Sequence, residues 1–456
     1  MSTSLSRDPD VRASFAADTS GLQMLPDAVA RPTSPEEVVE VLRQATTDRT
    51  PVTPAGGQTS TTGASITDKG ILLSLRGLDR IIDIDPARGI ARAEPGVLVA
   101  DLARAAAEQG MLFAPDPTSE IDATLGGAVA CNASGARTLR YGPTRNHVRA
   151  LKVALASGEI VEFRRTHLEK NTVGYKMVHD PVDWFVGSEG TLGVVLEAEF
   201  GLLPKPDRIV GLALPFPNEP AALKFVAAAR DSTTVHPRCL EYFDPHTATI
   251  FNEGGIVAED ARANPIVYTE ETLDADQEPP FDAWLALADT YGALSDDIEV
   301  FDNDAALREA RRKRHAIPAV MQERGFRYGP VGGRRLSTDW SVPYRRLEEM
   351  VRIARELADA AGVEQSVFFG HAGNGHPHQN YIARDPVQVE RMDDVVESTL
   401  RQVLAMGGTL AAEHGIGKIK RRWVSLQLTP LQIGAMRALK RELDPLDLLS
   451  PGNVLP

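Results

Sequence analysis

Cysteine is almost missing from this chain of 456 residues: only Cys131 and Cys239 occur. Two cysteines build no disulfide framework and are too few for a thiolate zinc site. The expected setting is therefore reducing and cytoplasmic, at most peripheral on the inner face of a membrane. Long apolar runs are missing too, so no segment is expected to cross a bilayer. The N-terminal stretch "MSTSLSRDPDVRASF" lacks the apolar core of a secretory signal. Positive charge is in deficit. A net charge of −14 argues against nucleic acid as a main partner. Two nucleotide fingerprints are absent as well. No Gly-x-Gly-x-x-Gly follows a first strand, and "HGIGKIK" has neither the Ser or Thr nor the spacing of a Walker A loop.

What is present is a globular composition, 43% hydrophobic and 25% charged. The length predicts two or three domains. "RPTSPEEVVEVLRQAT" predicts a helix capped by Ser34, with Pro35 in its first turn and Glu37 closing a capping box. Val38, Val41, Leu42 and Ala45 form its apolar face. "LDRIIDIDPARGIARAEPG" and "ALKVALASGEIVEF" predict hairpins. "VLVADLARAAAEQG" predicts a helix ended by Gly110, and "GVVLEAEFGLLP" a strand. Prolines and charges at 202–208 mark a boundary. Helices over "PNEPAALKFVAAARD" and "YRRLEEMVRIARELADAAG", with strands such as "SVFFGH", make a second α+β domain. "EETLDADQEPPFDAW" is expected to be an acidic surface excursion.

Basic clusters stand out in the acidic second half: "RRKRH" (311–315), Arg334–Arg335, and Lys418 with Lys420, Arg421 and Arg422. Most such runs are solvated faces, but several near one another point to an anionic small molecule. Four small-residue loops punctuate the first domain: "PAGGQTS" (54–60), "PDPTS" (115–119), "TLGGAVACNASG" (124–135) and "GSEGTLG" (187–193). Glycine lets backbone approach a ligand closely, and successive N–H groups form a concavity for phosphate. Four such loops in one domain point to an extended phosphate-bearing cofactor.

"PAGGQTSTTG", "PTSEIDATLGGAVACNASGARTLRYG", "VALASGEIVE", "FVGSEGTLGVV" and the closing "LDPLDLLSPGNVLP" resemble the vanillyl-alcohol-oxidase (PCMH-type) FAD flavoproteins. "GHAGNGHPHQN" (370–380) and "AAEHGIGK" (411–418) resemble that superfamily's D-2-hydroxyacid dehydrogenase branch, which includes D-lactate and D-2-hydroxyglutarate dehydrogenases and glycolate oxidase FAD subunits. The resemblance runs from about residue 15 to the end. It implies an α+β fold: a two-subdomain FAD-binding domain over 1–206 (core from about 30), then a substrate or cap domain over 207–456 with an antiparallel sheet and helices. The last 25 residues or so would pack back on the first domain.

The resemblance also implies a site. Pro54, Ala55, Gly56, Gly57, Gln58, Thr59 and Ser60, with Gly126, Gly127, Asn132, Ser134 and Gly135, would hold the FAD pyrophosphate. Glu189, Gly190, Gly193 and Val194 would line the ribityl and adenine region, and Pro117, Thr118, Tyr141 and Gly142 complete the cofactor set. Gln58 stands where covalent relatives carry a tethering histidine, so the FAD is expected to be noncovalent. Cys131 is expected to be a small buried residue rather than a tether.

A lone histidine is more often structural than a ligand, and His236, His246 and His315 are read that way. His371, His376 and His378 differ, since they share one glycine-rich loop, and Glu413 adds a carboxylate beside His414. Imidazoles with one carboxylate suit zinc or manganese with open positions. Strand spacing alone pairs His376 with His378, whereas the resemblance selects His371, His378 and Glu413. His376 is then a departure, either a fourth ligand or a substrate contact.

The expected reaction oxidises a small anionic D-2-hydroxy acid (D-lactate, glycolate or D-2-hydroxyglutarate) to the 2-oxo acid. The metal lowers the hydroxyl pKa, His414 takes the proton, and hydride passes to flavin N5. The carboxylate anchor is expected to be an arginine for its planar fork; the resemblance of "RRKRHAIPAV" to the family's arginine-bearing helix selects Arg314, with Lys418 as second candidate. The electron acceptor is left open among quinone, cytochrome, electron-transfer flavoprotein and a partner subunit, and a homodimer is compatible with the chain. Alternatives are a noncatalytic or partner-dependent flavin subunit, a superfamily alcohol oxidase, and, further off, a metallohydrolase.

Overall fold

The computed structural model describes residues 5–166, 168–363 and 366–456; the first four residues of the expected N-terminal domain lie outside the described residues. The chain divides into two compact units. One comprises the chain through Gly135, Tyr141–Lys205 and Glu413–Pro456; the other comprises Ala136–Arg140 and Pro206–Ala412.

In the first unit, helix α1 (Pro35–Asp48) starts where its residues dictate, with Ser34 Oγ accepting from Glu37 N at 3.3 Å. The reciprocal half of the capping box shifts by one residue, because Glu37 Oε2 accepts from Thr33 N at 2.7 Å. Val38, Val41, Leu42 and Ala45 are buried in the core formed with β1 (Ala28–Ala30), β2 (Val52–Ala55) and β3 (Ile71–Ser74). These strands form a parallel sheet in the order β1-β3-β2. Parallel pairing needs crossovers: α1 carries the chain from β1 to β2, and residues 56–70 carry it from β2 to β3.

Both expected hairpins form: β4 (Ile81–Asp85) with β5 (Ile90–Ala93), and β6 (Val148–Ala154) with β7 (Ile160–Arg164). Strand β8 (Val194–Gly201) lies between them, giving an antiparallel sheet ordered β4-β5-β8-β6-β7. Helices α2 (Val99–Glu108) and α3 (Leu125–Cys131) bury Leu102, Ala106, Leu125 and Val129 in one core with Leu151, Val153 and Phe200. The chain's end is fastened to this unit by a buried lysine. Lys440 Nζ donates to Thr191 O at 2.8 Å and Leu449 O at 2.9 Å, and pairs with Asp444 at 2.5 Å. Lysine is rarely buried without such partners.

The second unit is built on a sheet of seven strands: β9 (Arg208–Pro215), β10 (Cys239–Phe243), β11 (Ile266–Leu273), β12 (Glu299–Phe301), β13 (Arg334–Thr338), β14 (Ser366–Gly370) and β15 (His378–Ala383). Its order is β12-β9-β11-β10-β14-β15-β13, and every pair is antiparallel. One face carries helices α4 (Glu219–Asp231), α7 (Leu347–Ala360) and α8 (Pro386–Ala405); the other carries α5 (Pro245–Glu253) and α6 (Asp304–Tyr328). The expected acidic excursion is mostly structured. Glu270–Leu273 belong to β11 and Phe281–Trp284 open a helix. Trp284 is buried and donates to Glu271 Oε2 at 2.7 Å, so tertiary packing overrides the local composition. Among the described residues no helix is long and apolar enough to cross a membrane.

Candidate functional site

The histidine loop of the second unit is set by glycine. Gly370 ends β14 with φ +117°, and a methyl there would lie 2.7 Å from His378 Cδ2. At Gly375, φ +68°, a methyl would lie 1.9 Å from Val342 O. Neither position admits a side chain. Hydrogen bonds then pin the loop: Val342 N to Gly375 O at 3.0 Å, Ser341 Oγ to Asn374 O at 3.2 Å, and Arg230 to Gly373 O.

The result is a cluster of three imidazoles. Ring centroids lie 5.1 Å apart for His371–His378, 5.3 Å for His371–His376 and 4.7 Å for His376–His378. His371 and His376 are buried. His371 Nδ1 lies 2.7 Å from Glu241 Oε1, and Glu241 Oε2 accepts from Arg314 Nε at 2.7 Å. Burial pushes the Glu241 carboxyl up, but Arg314 and then His371 outweigh it and hold its pKa at about 2. With Nδ1–H donated to this carboxylate, the neutral imidazole of His371 would ligate a metal through Nε2. The donor set therefore fits a divalent transition ion.

His246 has Nδ1 on Ala261 O at 2.8 Å and Nε2 on Arg324 at 2.5 Å. Burial, then Arg314 and Arg311, pushes the His315 pKa down to about 4, which leaves it neutral. Arg314, the expected carboxylate anchor, has its Nε on Glu241 Oε2. Glu241 itself escaped the sequence reading. It is one acid in the run "CLEYF", and alternation alone makes such a residue look solvent-facing.

In the first unit, the loop after β2 turns through Gln58 at φ +54°. The backbone N–H groups of Gly56, Gly57, Gln58 and Thr59 donate to no acceptor among the described residues. A run of unspent donors fits phosphate. The Gln58 amide faces inward, donating to Phe15 O at 3.0 Å and Ala17 O at 3.2 Å. Ser60 Oγ accepts from Thr62 N and Ala64 N, both at 3.2 Å. Pro54 and Ala55 end β2, and Val194 begins β8.

Several glycines of the candidate cofactor set answer to the protein's own packing. A methyl on Gly57 would lie 1.9 Å from Asp122 O, one on Gly126 2.6 Å from Pro95 Cβ, and one on Gly193 2.5 Å from Val153 Cγ1. Gly127 N is capped by Thr124 Oγ1, Pro117 O accepts from Glu120 N, and Tyr141 O meets His147 Nε2 at 3.0 Å. Asn132 caps α3 with φ +51° and accepts from Arg145 N at 2.9 Å. Thr118, Gly135, Gly142 and Gly190 lie in the connecting turns. Burial pushes the Cys131 thiol up to about 12.

The loop 413–418 belongs to this first unit. Glu413 Oε1 accepts from Ser134 Oγ at 3.0 Å, and the His414 carbonyl from Thr62 Oγ1 at 3.3 Å. Glu189, buried, accepts from Ile416 N at 2.6 Å and Gly417 N at 2.8 Å, so its carboxylate clamps this loop. Lys418 Nζ donates to Gly63 O at 3.0 Å and Asn453 Oδ1 at 2.8 Å.

Comparison with known proteins agrees with these features. Residues 26–164 match the FAD binding domain family and residues 205–454 the FAD linked oxidases C-terminal domain family. The chain is similar to glycolate oxidase subunit GlcD of Bacillus subtilis (strain 168), 31% identical with 95% of this chain and 89% of that one covered. It is 30% identical to D-lactate dehydrogenase of Archaeoglobus fulgidus (94% and 91% covered) and 31% identical to D-2-hydroxyglutarate dehydrogenase of Xanthomonas citri pv. viticola (94% and 89% covered). Its fold is that of alkyldihydroxyacetonephosphate synthase, with a TM-score of 0.71 at 17% identity, covering 98% of this chain and 82% of that one. A redox-free metallohydrolase leaves the flavin-domain match unexplained. The chain belongs to the FAD-linked oxidases and is an FAD-dependent oxidoreductase of the glycolate oxidase, D-lactate and D-2-hydroxyglutarate dehydrogenase type.

Proposed function

We propose that the protein oxidises a D-2-hydroxy acid to the 2-oxo acid, with a divalent ion, zinc or manganese, held by His371, His378 and Glu413. The observation that carries this reading is the cluster of imidazoles with His371 Nδ1 fixed on Glu241. The names of similar proteins support the substrate class: glycolate, D-lactate and D-2-hydroxyglutarate are all 2-hydroxy acids.

Bound FAD supplies a two-electron acceptor and the divalent ion a Lewis acid at the substrate hydroxyl. The loops 54–60 and 124–135 would hold the pyrophosphate noncovalently, with 187–195 along the ribityl and adenine. His376 closes the imidazole cluster as a further ligand or a substrate contact. His414 receives the hydroxyl proton on an imidazole nitrogen while the α-hydrogen leaves with its electron pair. Loss of that proton and that pair turns C–OH into C=O, and the proton then passes from His414 to solvent.

Anaerobic mixing of the purified flavoprotein with D- and L-2-hydroxy acids tests this. The D series should bleach the oxidised-flavin absorbance and the L series should not; no bleaching by any acid would overturn the reading. Chelation, verified by elemental analysis, should abolish reduction while the flavin stays bound, and Zn²⁺ or Mn²⁺ should restore it. Full activity of metal-stripped protein would end the Lewis-acid role.

A further inference from the structure

The sheet face that carries His378 also carries the Arg335 guanidinium, which no acid balances among the described residues. In the antiparallel pairing of β13 with β15, Arg335 stands opposite Ile382 and Ser337 opposite Asn380. Opposed residues share a face, and alternation along β15 places His378, Asn380 and Ile382 together on it. Phe369 opposite His378 and Phe243 opposite Phe369 extend the face to Glu241.

Side-chain contacts agree. Arg335 Nε donates to Asn380 Oδ1 at 2.5 Å. Helix α6 packs directly over it, since a methyl on Gly325 would lie 2.5 Å from Arg335 Cβ. The residue keeps some exposure, yet burial alone pulls its pKa down to about 10 with no acidic group acting against the shift. Neighbouring arginines are matched: Arg314 by Glu241, Arg334 by Asp393 at 3.0 Å, Arg384 by Glu259 at 3.2 Å. Among the described residues, Asn380 Oδ1 is the hydrogen-bond acceptor for Arg335, and both terminal Nη groups remain for a ligand.

A desolvated charge without a counter-charge is costly, and a ligand that brings the counter-charge removes the cost. A planar fork of two N–H donors matches a carboxylate. In the reading above, the substrate's hydroxyl and adjacent carboxylate are engaged at the imidazole cluster. Arg335 is anchored two residues along β15 from His378, roughly 7 Å of strand, which suits the far end of a short diacid. We propose that Arg335 binds a second carboxylate, and that the substrate is a dicarboxylic 2-hydroxy acid rather than a monocarboxylic one. This rests on the 2-hydroxy acid oxidation proposed above.

The test is anaerobic flavin reduction by D-malate and D-2-hydroxyglutarate against D-lactate and D-2-hydroxybutyrate, in the native protein, Arg335→Met and Arg335→Lys. The native protein should prefer the diacids by about 10²-fold or more at limiting concentration. Removing one partner of a buried charge pair should cost Arg335→Met about 10²–10³-fold with diacids. Its rates with monoacids should stay close to native, and Arg335→Lys should recover part of the diacid rate. Matching melting temperature and flavin content certify the fold; if Arg335→Met does not fold, the diacid-to-monoacid ratio of Arg335→Lys decides, and an unchanged ratio refutes the assignment. Equal native rates with both kinds of acid, or equal losses with both in Arg335→Met, overturn this inference alone. If acids of neither kind reduce the flavin, the 2-hydroxy acid reading falls and this inference with it.

Discussion

Glu241 and His371 share a hydrogen bond of 2.7 Å with both side chains sealed from solvent, on a strand and a loop 130 residues apart in sequence. The carboxylate faces Arg314 with its other oxygen. A single buried acid thus neutralises an arginine and orients one imidazole of the cluster.

Replacing Glu241 by Gln should therefore do two things at once. Removing one partner of a buried ion pair strands the other, so stability should fall by about 3–5 kcal/mol. Loss of the carboxylate behind a ligating imidazole should weaken metal affinity about 10–100-fold. Thermal denaturation and chelator competition measure these separately. A variant with native melting and native metal retention would show that the Glu241 contact has no such role.

Acid precipitation should release all the FAD into the supernatant. The family resemblance puts Gln58 where a tethering histidine would stand, and its amide is turned onto Phe15 O and Ala17 O. Cys131, with its pKa raised to about 12, is protonated at neutral pH and a poor nucleophile. Yellow colour remaining in the pellet would contradict the noncovalent assignment.

The fold was legible wherever local periodicity and tertiary structure agree. The two hairpins and α1 follow from alternation and from Ser34 and Pro35. The parallel sheet was not legible, because β1 has three residues and β2 four, too few to show a pattern. At the site, the histidine loop stood out because glycines and imidazoles are adjacent in sequence. Glu241 and Arg335 did not, because their importance arises from strand pairing. Arg335 entered the sequence reading only as half of a basic pair. The glycine loops carried a mixed signal, since Gly57 and Gly126 are also demanded by Asp122 O and Pro95.

Lys418 makes stability depend on pH in an unusual direction. Burial, outweighing Asp18, Glu189 and Asp68, depresses its pKa from 10.5 to about 8. Below about pH 8 the folded protein carries the full cost of the buried ammonium. Between that pH and 10.5 the unfolded chain binds more protons than the folded one, so this residue's contribution to stability rises with pH. Urea unfolding of the native protein and Lys418→Met across this window isolates the effect. The native-minus-variant stability should increase with pH; parallel slopes would mean the lysine is not desolvated as described.

The proton acceptor and the cation behind the cluster should separate kinetically. His414 lies beside Glu413 on a loop whose backbone is held by Glu189 and Thr62, so His414→Asn should leave that scaffold intact. FAD content, metal content and substrate affinity should stay near native, while flavin reduction slows by about 10²–10⁴-fold, the usual cost of a lost general base. Arg314→Ala should behave differently. Its guanidinium is committed to Glu241 at 2.7 Å, so removing it unbalances a buried carboxylate that orients His371. The expected loss is in metal retention and melting temperature, with reduction recovering when excess metal is supplied. Rapid-mixing reduction of both variants, with and without added Zn²⁺, decides between these roles. Near-native reduction in His414→Asn would remove it as the base. A pure rise in KM for Arg314→Ala, with metal and melting unchanged, would return Arg314 to the role of substrate anchor.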